Sequence, residues 1–171
     1  MKRTLSREVS FRPIEDEDIK YVWAAYRKGA LTPLGERFSG GEMSGEEFKE
    51  AFTNEVFARF NGVWVVSGPV LGKGNIAIGI VFGFYHERSS PFMTVGGVAW
   101  FPWATKRNIV EGTIFFFNKV RHEIPMMLYA NEQQKRLYEV AAMHGIMRRV
   151  GTSMIALSGE PAAVFETRAK G

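Results

Sequence analysis

Cysteine is missing from this chain and histidine is scarce, with 0 Cys and 3 His among 171 residues. The absence excludes disulfides, thiolate metal sites and a cysteine nucleophile. His86, His122 and His144 fall on separate segments with no ligand spacing, so no metal site is expected. A serine nucleophile elbow, a Walker loop and a dinucleotide fingerprint are absent as well. The longest uncharged apolar run, Ile76 to Tyr85, is far short of a membrane span and suits a buried strand. The N-terminal MKRTLSREVSFRP lacks the apolar core of a signal peptide, and the expected compartment is cytoplasmic. Charge of one sign is also in short supply: 22 Lys and Arg face 18 Asp and Glu, a net charge of +4. Apart from Lys2-Arg3, Lys106-Arg107 and Arg148-Arg149 the cations are scattered. That footprint is too thin for nucleic acid but suits an anionic small molecule.

What is present is a core. Hydrophobic residues make up 46% and aromatics 13%, with 14 Phe, a composition that argues against disorder. A chain of this length covers roughly two thirds of its unfolded surface on folding, and a single domain over 1–171 is expected. Val9 and Phe11 alternate with Ser10 and Arg12 in a short strand that Pro13 ends. Glu15 to Asp18 crowd the start of a helix with an apolar stripe of Ile19, Val22, Trp23 and Tyr26, and Gly29 caps it. Leu31 to Gly41 reads as loop, either a connector or, through Arg37 and Phe38, the lining of a substrate entrance. Ser44 with Glu47 forms a capping box for a second helix, which Asn61-Gly62 ends. Val63 to Ser67 and Ile76 to Tyr85 form a hairpin around Gly72-Lys73-Gly74-Asn75. Pro125 precedes the strand Met126 to Ala130, and Asn131 opens a helix that Gly145 terminates. Ile146 to Thr152 and Ala162 to Arg168 read as paired strands. The order is β α α β β β α β α β β, in one mixed sheet.

The stretch Met93 to Val120, MTVGGVAWFPWATKRNIVEGTIFFFNKV, stands out. A strand carrying Gly96-Gly97 closes on Trp100-Phe101-Pro102. A cationic turn of Thr105, Lys106, Arg107 and Asn108 follows, and then Ile109, Thr113, Phe116, Phe117 and Val120 fall at helical steps. Two glycines in mid-strand suggest a bulge or a close backbone approach. At the helix start the first N–H groups lack partners and the dipole is positive, so an anion, especially a phosphate, has a site there; the alternative is a solvated Lys-Arg pair.

This order, with FRPIEDEDI at the first strand and helix, a glycine pair in the fourth strand and a phosphate-type turn after it, resembles the GNAT family of acyl-CoA N-acyltransferases. The resemblance implies an α/β fold with a mixed central sheet of about seven strands and four helices on its two faces. It implies acetyl-CoA as cofactor and an unidentified amine as acceptor, in a monomer or homodimer. In that family the fourth and fifth strands splay at a bulge, pantetheine lies between them, and the pyrophosphate sits on the next turn. Carried over, pantetheine runs along Ala99, Trp100 and Phe101, the pyrophosphate rests on Lys106, Arg107 and Asn108, and Asn131 belongs to the cofactor site. Tyr138, seven residues after Asn131, would protonate the leaving thiolate. The family turn reads Arg or Gln, two residues, Gly, one residue, Gly or Ala; here Asn108 and Val110 hold the glycine positions. Three extra residues separate Tyr138 from Gly145. The runs WFPWATKRN, FFFNKVR and HGIMRRVGT are similar to those of small GNAT-like proteins of tailed bacteriophages. That likeness implies a viral protein of the host cytoplasm or the virion, with a host or phage protein as partner.

Acetylation of an amine needs a proton acceptor, a polarised thioester carbonyl and a donor for the thiolate. Backbone N–H groups of a bulged strand can polarise the carbonyl. Tyr138 is either the donor or a half-buried core residue. No carboxylate lies on the strands Met93 to Phe101 or Met126 to Ala130, so the base falls to His86 or Glu87, which otherwise are surface residues. Arg148 and Arg149 point to opposite strand faces, one of them a binder of an acidic group or an edge charge. Trp100, Pro102 and Trp103 either stack on an adenine or shield the thioester, anchor a protein interface, or fill the core.

Overall fold

Eleven helices and strands follow one another in the order that the sequence pattern gives, in a computed structural model that describes residues 9–85, 87, 89–154 and 161–167. The strands are β1 (Ser10–Pro13), β2 (Gly62–Val70), β3 (Gly74–Phe84), β4 (Met93–Trp100), β5 (Met126–Ala130), β6 (Met147–Met154) and β7 (Pro161–Thr167). The helices are α1 (Ile19–Arg27), α2 (Gly45–Ala51), α3 (Lys106–Val120) and α4 (Glu132–Met143). One mixed sheet runs β1-β2-β3-β4-β5-β7-β6, with β4 and β5 parallel. Packing divides the chain into two compact units, residues 1–84 with 96–112, and residues 85–95 with 113–171.

In the first unit, side chains of α1 and α2 pack on one face of the strands. Ile19, Val22 and Tyr26 of α1 share a buried cluster with Phe48 of α2, with Val65, Ile80 and Phe82, and with Ala99 and Phe101. Each such side chain contributes about 1.5–3 kcal/mol by leaving water. The rings interlock, Tyr26 at 4.9 Å from Phe48 and Phe48 stacked at 5.6 Å on Phe52. Helix α2 opens on the Ser44 cap, whose hydroxyl accepts the Glu47 amide at 3.2 Å, but the expected capping box is only half formed, since Glu47 Oε1 accepts from the Ser44 hydroxyl and not from its backbone N–H. It continues as a π segment, Phe52–Val56, and a last turn, Phe57–Arg59, so the helical spacing conceals a change of winding. The hairpin is longer than its apolar alternation suggests, paired out to Val70 and Gly74. Among the described residues β1 pairs with β2 only as far as Ser67, so no described β1 partner needs the N–H that Pro69 lacks. A register shift at Val66/Ser67 breaks the alternation that would have shown the full strand.

In the second unit, β5 pairs with β7 from Met127 to Ala130, and β7 inserts between β5 and β6. Phe117, Tyr138 and Phe165 pack edge to face, at 6.1 Å and 5.8 Å between successive rings. A reciprocal capping box starts α4: Asn131 Oδ1 accepts the Gln134 amide at 2.9 Å and the Gln134 side chain accepts the Asn131 amide at 3.4 Å. Gly145, at φ 73°, ends it. Among the described residues no helix is long and apolar enough to cross a membrane.

Candidate active site

Strand β4 carries the central irregularity. A Cβ built on Gly97 would lie 2.6 Å from Phe82 Cζ, and one built on Gly96 would lie 2.7 Å from Phe60 Cε1 and 3.4 Å from Phe82. Phe60 and Phe82 pack on each other at 4.8 Å. Successive residues of a regular strand point to opposite faces, yet these two point at one ring pair, so the pleat is broken between them as in a bulge. What crowds the glycines is side-chain rings, which come too close for any Cβ, and not the backbone approach that the sequence suggests. Just before the kink, β4 pairs with β5 through Met93↔Met126 and Thr94↔Met127, where the parallel ladder ends. Further on, the Phe101 amide donates to the Ile78 carbonyl at 2.8 Å. Alternation along the strand then turns the Trp100 N–H to the edge away from β3. Of the three residues expected along pantetheine, Trp100 offers the outward N–H, while Phe101 is spent on β3 and buried.

The cationic turn is closed by its own side chains. The Asn108 amide donates to Thr105 Oγ1 at 3.0 Å, and the Thr105 amide donates to Asn108 Oδ1 at 3.0 Å. This is a capping box with Asn in place of Glu, and it satisfies an N–H that an anion would otherwise claim. Asn108 is buried, and its Nδ2 reaches the Pro69 carbonyl at 3.4 Å, tying the start of α3 to the end of β2. Arg107 is exposed and ion-paired with Glu111 at 2.5 Å, one helical turn on. Lys106 is exposed and no carboxylate lies within 4.0 Å of it among the described residues.

The two tryptophans separate into different roles. The Trp100 indole lies so close over Gly79 and Gly112 that a Cβ there would sit 2.6 Å from Cε3 and 3.0 Å from Cη2. It is a wedge between β3 and α3, the packing alternative of the three that sequence leaves open. Trp103 donates its ring N–H to the Ala77 carbonyl at 2.7 Å and packs on Phe101 at 5.2 Å. Its half-buried ring also carries the ammonium groups of Lys28 and Lys73, at 5.9 Å and 5.8 Å from the centroid. Sequence reasoning did not single out either lysine, since only folding gathers residues 28, 73 and 103.

Also in the first unit, a cavity of 410 Å³ is lined by Arg37, Glu47, Glu50, Asn54 and Glu55, among others. Arg37 pairs with Glu55 at 2.6 Å, leaving the lining net negative. Phe38, its companion in the expected entrance, is instead buried in the core.

In the second unit, Tyr138 is buried between Phe117 and Phe165, and its hydroxyl has no hydrogen-bond partner among the described residues. Burial pushes its phenol well above the ordinary tyrosine range, because the phenolate would lose its water. Asn131 is half-buried and holds the cap of α4. Glu87 is exposed. His86, the other expected base, lies outside the described residues. Arg148 pairs with Glu166 across the β6/β7 ladder and Arg149 donates to Thr152 Oγ1 at 3.2 Å, so both are engaged on their own sheet.

Comparison with solved structures bears on the fold. The chain is similar to a spermidine N-acetyltransferase from Vibrio cholerae solved with CoA and spermine, at TM-score 0.60 and 15% identity over 93% of each chain. It is similar to a GNAT-family acetyltransferase from Bacillus anthracis, at TM-score 0.62 and 15% identity over 94% of each. A histone acetyltransferase HPA2-related protein from Corynebacterium glutamicum aligns at TM-score 0.62 and 11% identity, over 96% of this chain and 98% of the other. No protein-family model matches the sequence, and no curated protein matches it. At such identities the likeness speaks for the fold, which is that of the GNAT acetyltransferases.

Proposed function

We propose that this chain is a GNAT-type acyltransferase that moves an acetyl group from acetyl-CoA to an amine. The observation that carries the reading is the irregular β4, whose ladder to β5 ends at Thr94 and whose pleat breaks at Gly96-Gly97. A strand freed of its neighbour keeps backbone amides for an extended ligand, and Trp100 N–H is one of them. The fit is partial at the phosphate end. Asn108 N–H is satisfied by Thr105, so Lys106 is left as the turn's available cation.

When bound, acetyl-CoA supplies an activated acyl group and a thiolate leaving group. The outward Trp100 N–H would donate to the acyl carbonyl oxygen and stabilise the charge that develops there. Tyr138 would be the proton donor for the departing thiolate. His86 or Glu87 takes the proton from the acceptor ammonium. The net negative cavity beside α2 suits a cationic amine, and spermine and spermidine are the acceptors to try first.

Thermal unfolding with and without acetyl-CoA tests the reading. A ligand at a hundred times its dissociation constant stabilises by about 2.7 kcal/mol, a rise of roughly 5–10 °C for a domain of this size. That rise, reduced in the Lys106→Ala/Arg107→Ala double variant, supports it. No rise at saturating acetyl-CoA sinks it.

The capping box at Thr105 and Asn108 favours a second reading, a non-catalytic GNAT-fold protein. In that reading the chain is phage-encoded and serves as a virion or assembly component, or binds a host protein. Loss of the thermal shift together with capture of a specific phage or host partner would decide for it.

A further inference from the structure

Among the described residues, the first unit gathers positive charge at one end without gathering the acids to balance it. Lys28 follows the last turn of α1, Lys73 sits at the tip of the β2–β3 hairpin, and Trp103 lies in the turn between β4 and α3. Far apart in sequence, they meet at one indole. The bond from Asn108 to Pro69 holds the hairpin against the start of α3, so Lys106 belongs to the same end of the unit. Among the described residues, none of Lys28, Lys73 and Lys106 has a carboxylate within 4.0 Å. Each exposed ammonium gains only about 0.5–1 kcal/mol from the ring, so both are free to turn to an anion that offers charge-assisted hydrogen bonds. The indole is fixed by its bond to Ala77 and offers a flat apolar surface next to the charges. Charge paired with a flat surface is the chemistry of a phosphorylated nucleoside, in which the base stacks and the phosphate takes the ammonium groups.

We infer that Lys28 and Lys73, converging on Trp103, form the binding site for the nucleotide end of the cofactor, an adenosine bearing 3′- and 5′-phosphates. The inference rests on the acyl-CoA reading for the identity of the nucleotide. It assigns the phosphates to side-chain ammonium groups outside the helix start, whose Asn108 N–H is already bonded. Lys28 and Lys73 bind the phosphate oxygens by charge-assisted hydrogen bonds, and Trp103 meets the adenine.

Isothermal titration with adenosine 3′,5′-bisphosphate, with inorganic phosphate and with acetyl-CoA tests this on the full chain and on Lys28→Gln/Lys73→Gln. Both positions are exposed, so the variant is expected to fold, with an unfolding temperature lowered by no more than a few degrees through the lost ring contacts. The expected result is binding of the bisphosphate, weakened at least tenfold in the variant and also weakened by raising salt. Trp103→Phe, which keeps a ring but loses the bond to Ala77, is expected to weaken the bisphosphate and to leave the response to inorganic phosphate unchanged. Bisphosphate affinity within twofold of the parent in the double variant overturns the inference, even where acetyl-CoA still binds. Inorganic phosphate binding as tightly as the bisphosphate overturns it too, since the indole then contributes nothing. Bisphosphate binding that depends on the lysines, without any acetyl transfer, upholds the nucleotide site and removes the enzyme reading. Binding of neither ligand removes both.

Discussion

Two strand-to-helix junctions of the same design can be set side by side. One leads from β4 to α3 in the first unit, and the other leads from β5 to α4 in the second. Both helices begin with a reciprocal capping box three residues wide, Thr105 with Asn108 in the first and Asn131 with Gln134 in the second. Neither has a glycine at the turn. They differ in charge and in burial: the first brings Lys106 and Arg107 into its opening turn and buries Asn108, whereas the second brings Glu132 and leaves Asn131 half-buried. A helix dipole is common to both, so it cannot be what suits one of them to an anion. The difference lies in side chains, and at the first junction the cations without acid partners include two, Lys28 and Lys73, that belong to other elements. On the nucleotide-site inference, the comparison makes anion binding by this chain a tertiary property, assembled by packing.

The largest effect is expected beyond the second junction, two turns along α4. If that junction serves chemistry while the first serves binding, Tyr138→Phe lowers kcat for acetyl transfer about a hundredfold, the scale of a lost general acid, with KM for acetyl-CoA little changed. Steady-state kinetics read the split, and an unchanged kcat would reduce Tyr138 to packing. The same variant has a signature in stability. Because burial raises the phenol above its unfolded value of about 10, the neutral form is favoured in the fold. Its contribution is fully present below pH 10 and is lost as pH climbs through the folded value. Denaturant titrations across that alkaline range are expected to show a steeper loss in the parent than in Tyr138→Phe.

Next come the caps themselves. Asn108→Ala removes the acceptor for Thr105 N–H and the donor to Pro69 inside a buried site, and is expected to cost about 2–3 kcal/mol. Asn131→Ala removes a half-exposed cap and is expected to cost about 1 kcal/mol. Urea unfolding of the two variants measures the gap, and equal costs would break the distinction between the junctions.

How much of this was legible beforehand follows from what each feature depends on. The element order and the Ser44 cap are local, so periodicity and turn chemistry disclosed them. Gly96-Gly97 announced an irregular strand, although the rings of Phe60 and Phe82 that require it arrive from elsewhere in the chain. The Thr105-x-x-Asn108 spacing is present in the sequence, but Lys106-Arg107 between the two makes the turn look open to phosphate. Lys28 and Lys73 carried no local signal. The π segment after α2 and the wedge of Trp100 over Gly79 and Gly112 were hidden for the same reason, because both are settled by what packs against them. Tyr138 is singled out by the resemblance to the family pattern, but its burial depends on Phe117 and Phe165.

The smallest effect isolates the remaining cation of the first junction. Arg107 and Glu111 form an exposed i, i+4 pair, for which about 0.3–0.5 kcal/mol is expected. Here the cation precedes the acid, the less favourable order along a helix, which places the value at the low end. Arg107→Ala is therefore expected to lower the unfolding temperature by about 1 °C or less, an effect that shrinks further in high salt. Its influence on nucleotide affinity is expected to be smaller than that of Lys28→Gln or Lys73→Gln, because the guanidinium is already engaged by Glu111. If Arg107→Ala instead weakens adenosine 3′,5′-bisphosphate as strongly as the lysine variants do, the pair with Glu111 opens when the anion arrives. The helix start would then belong to the phosphate site after all, and the contrast between the two junctions would rest on Arg107 and on the lysines together.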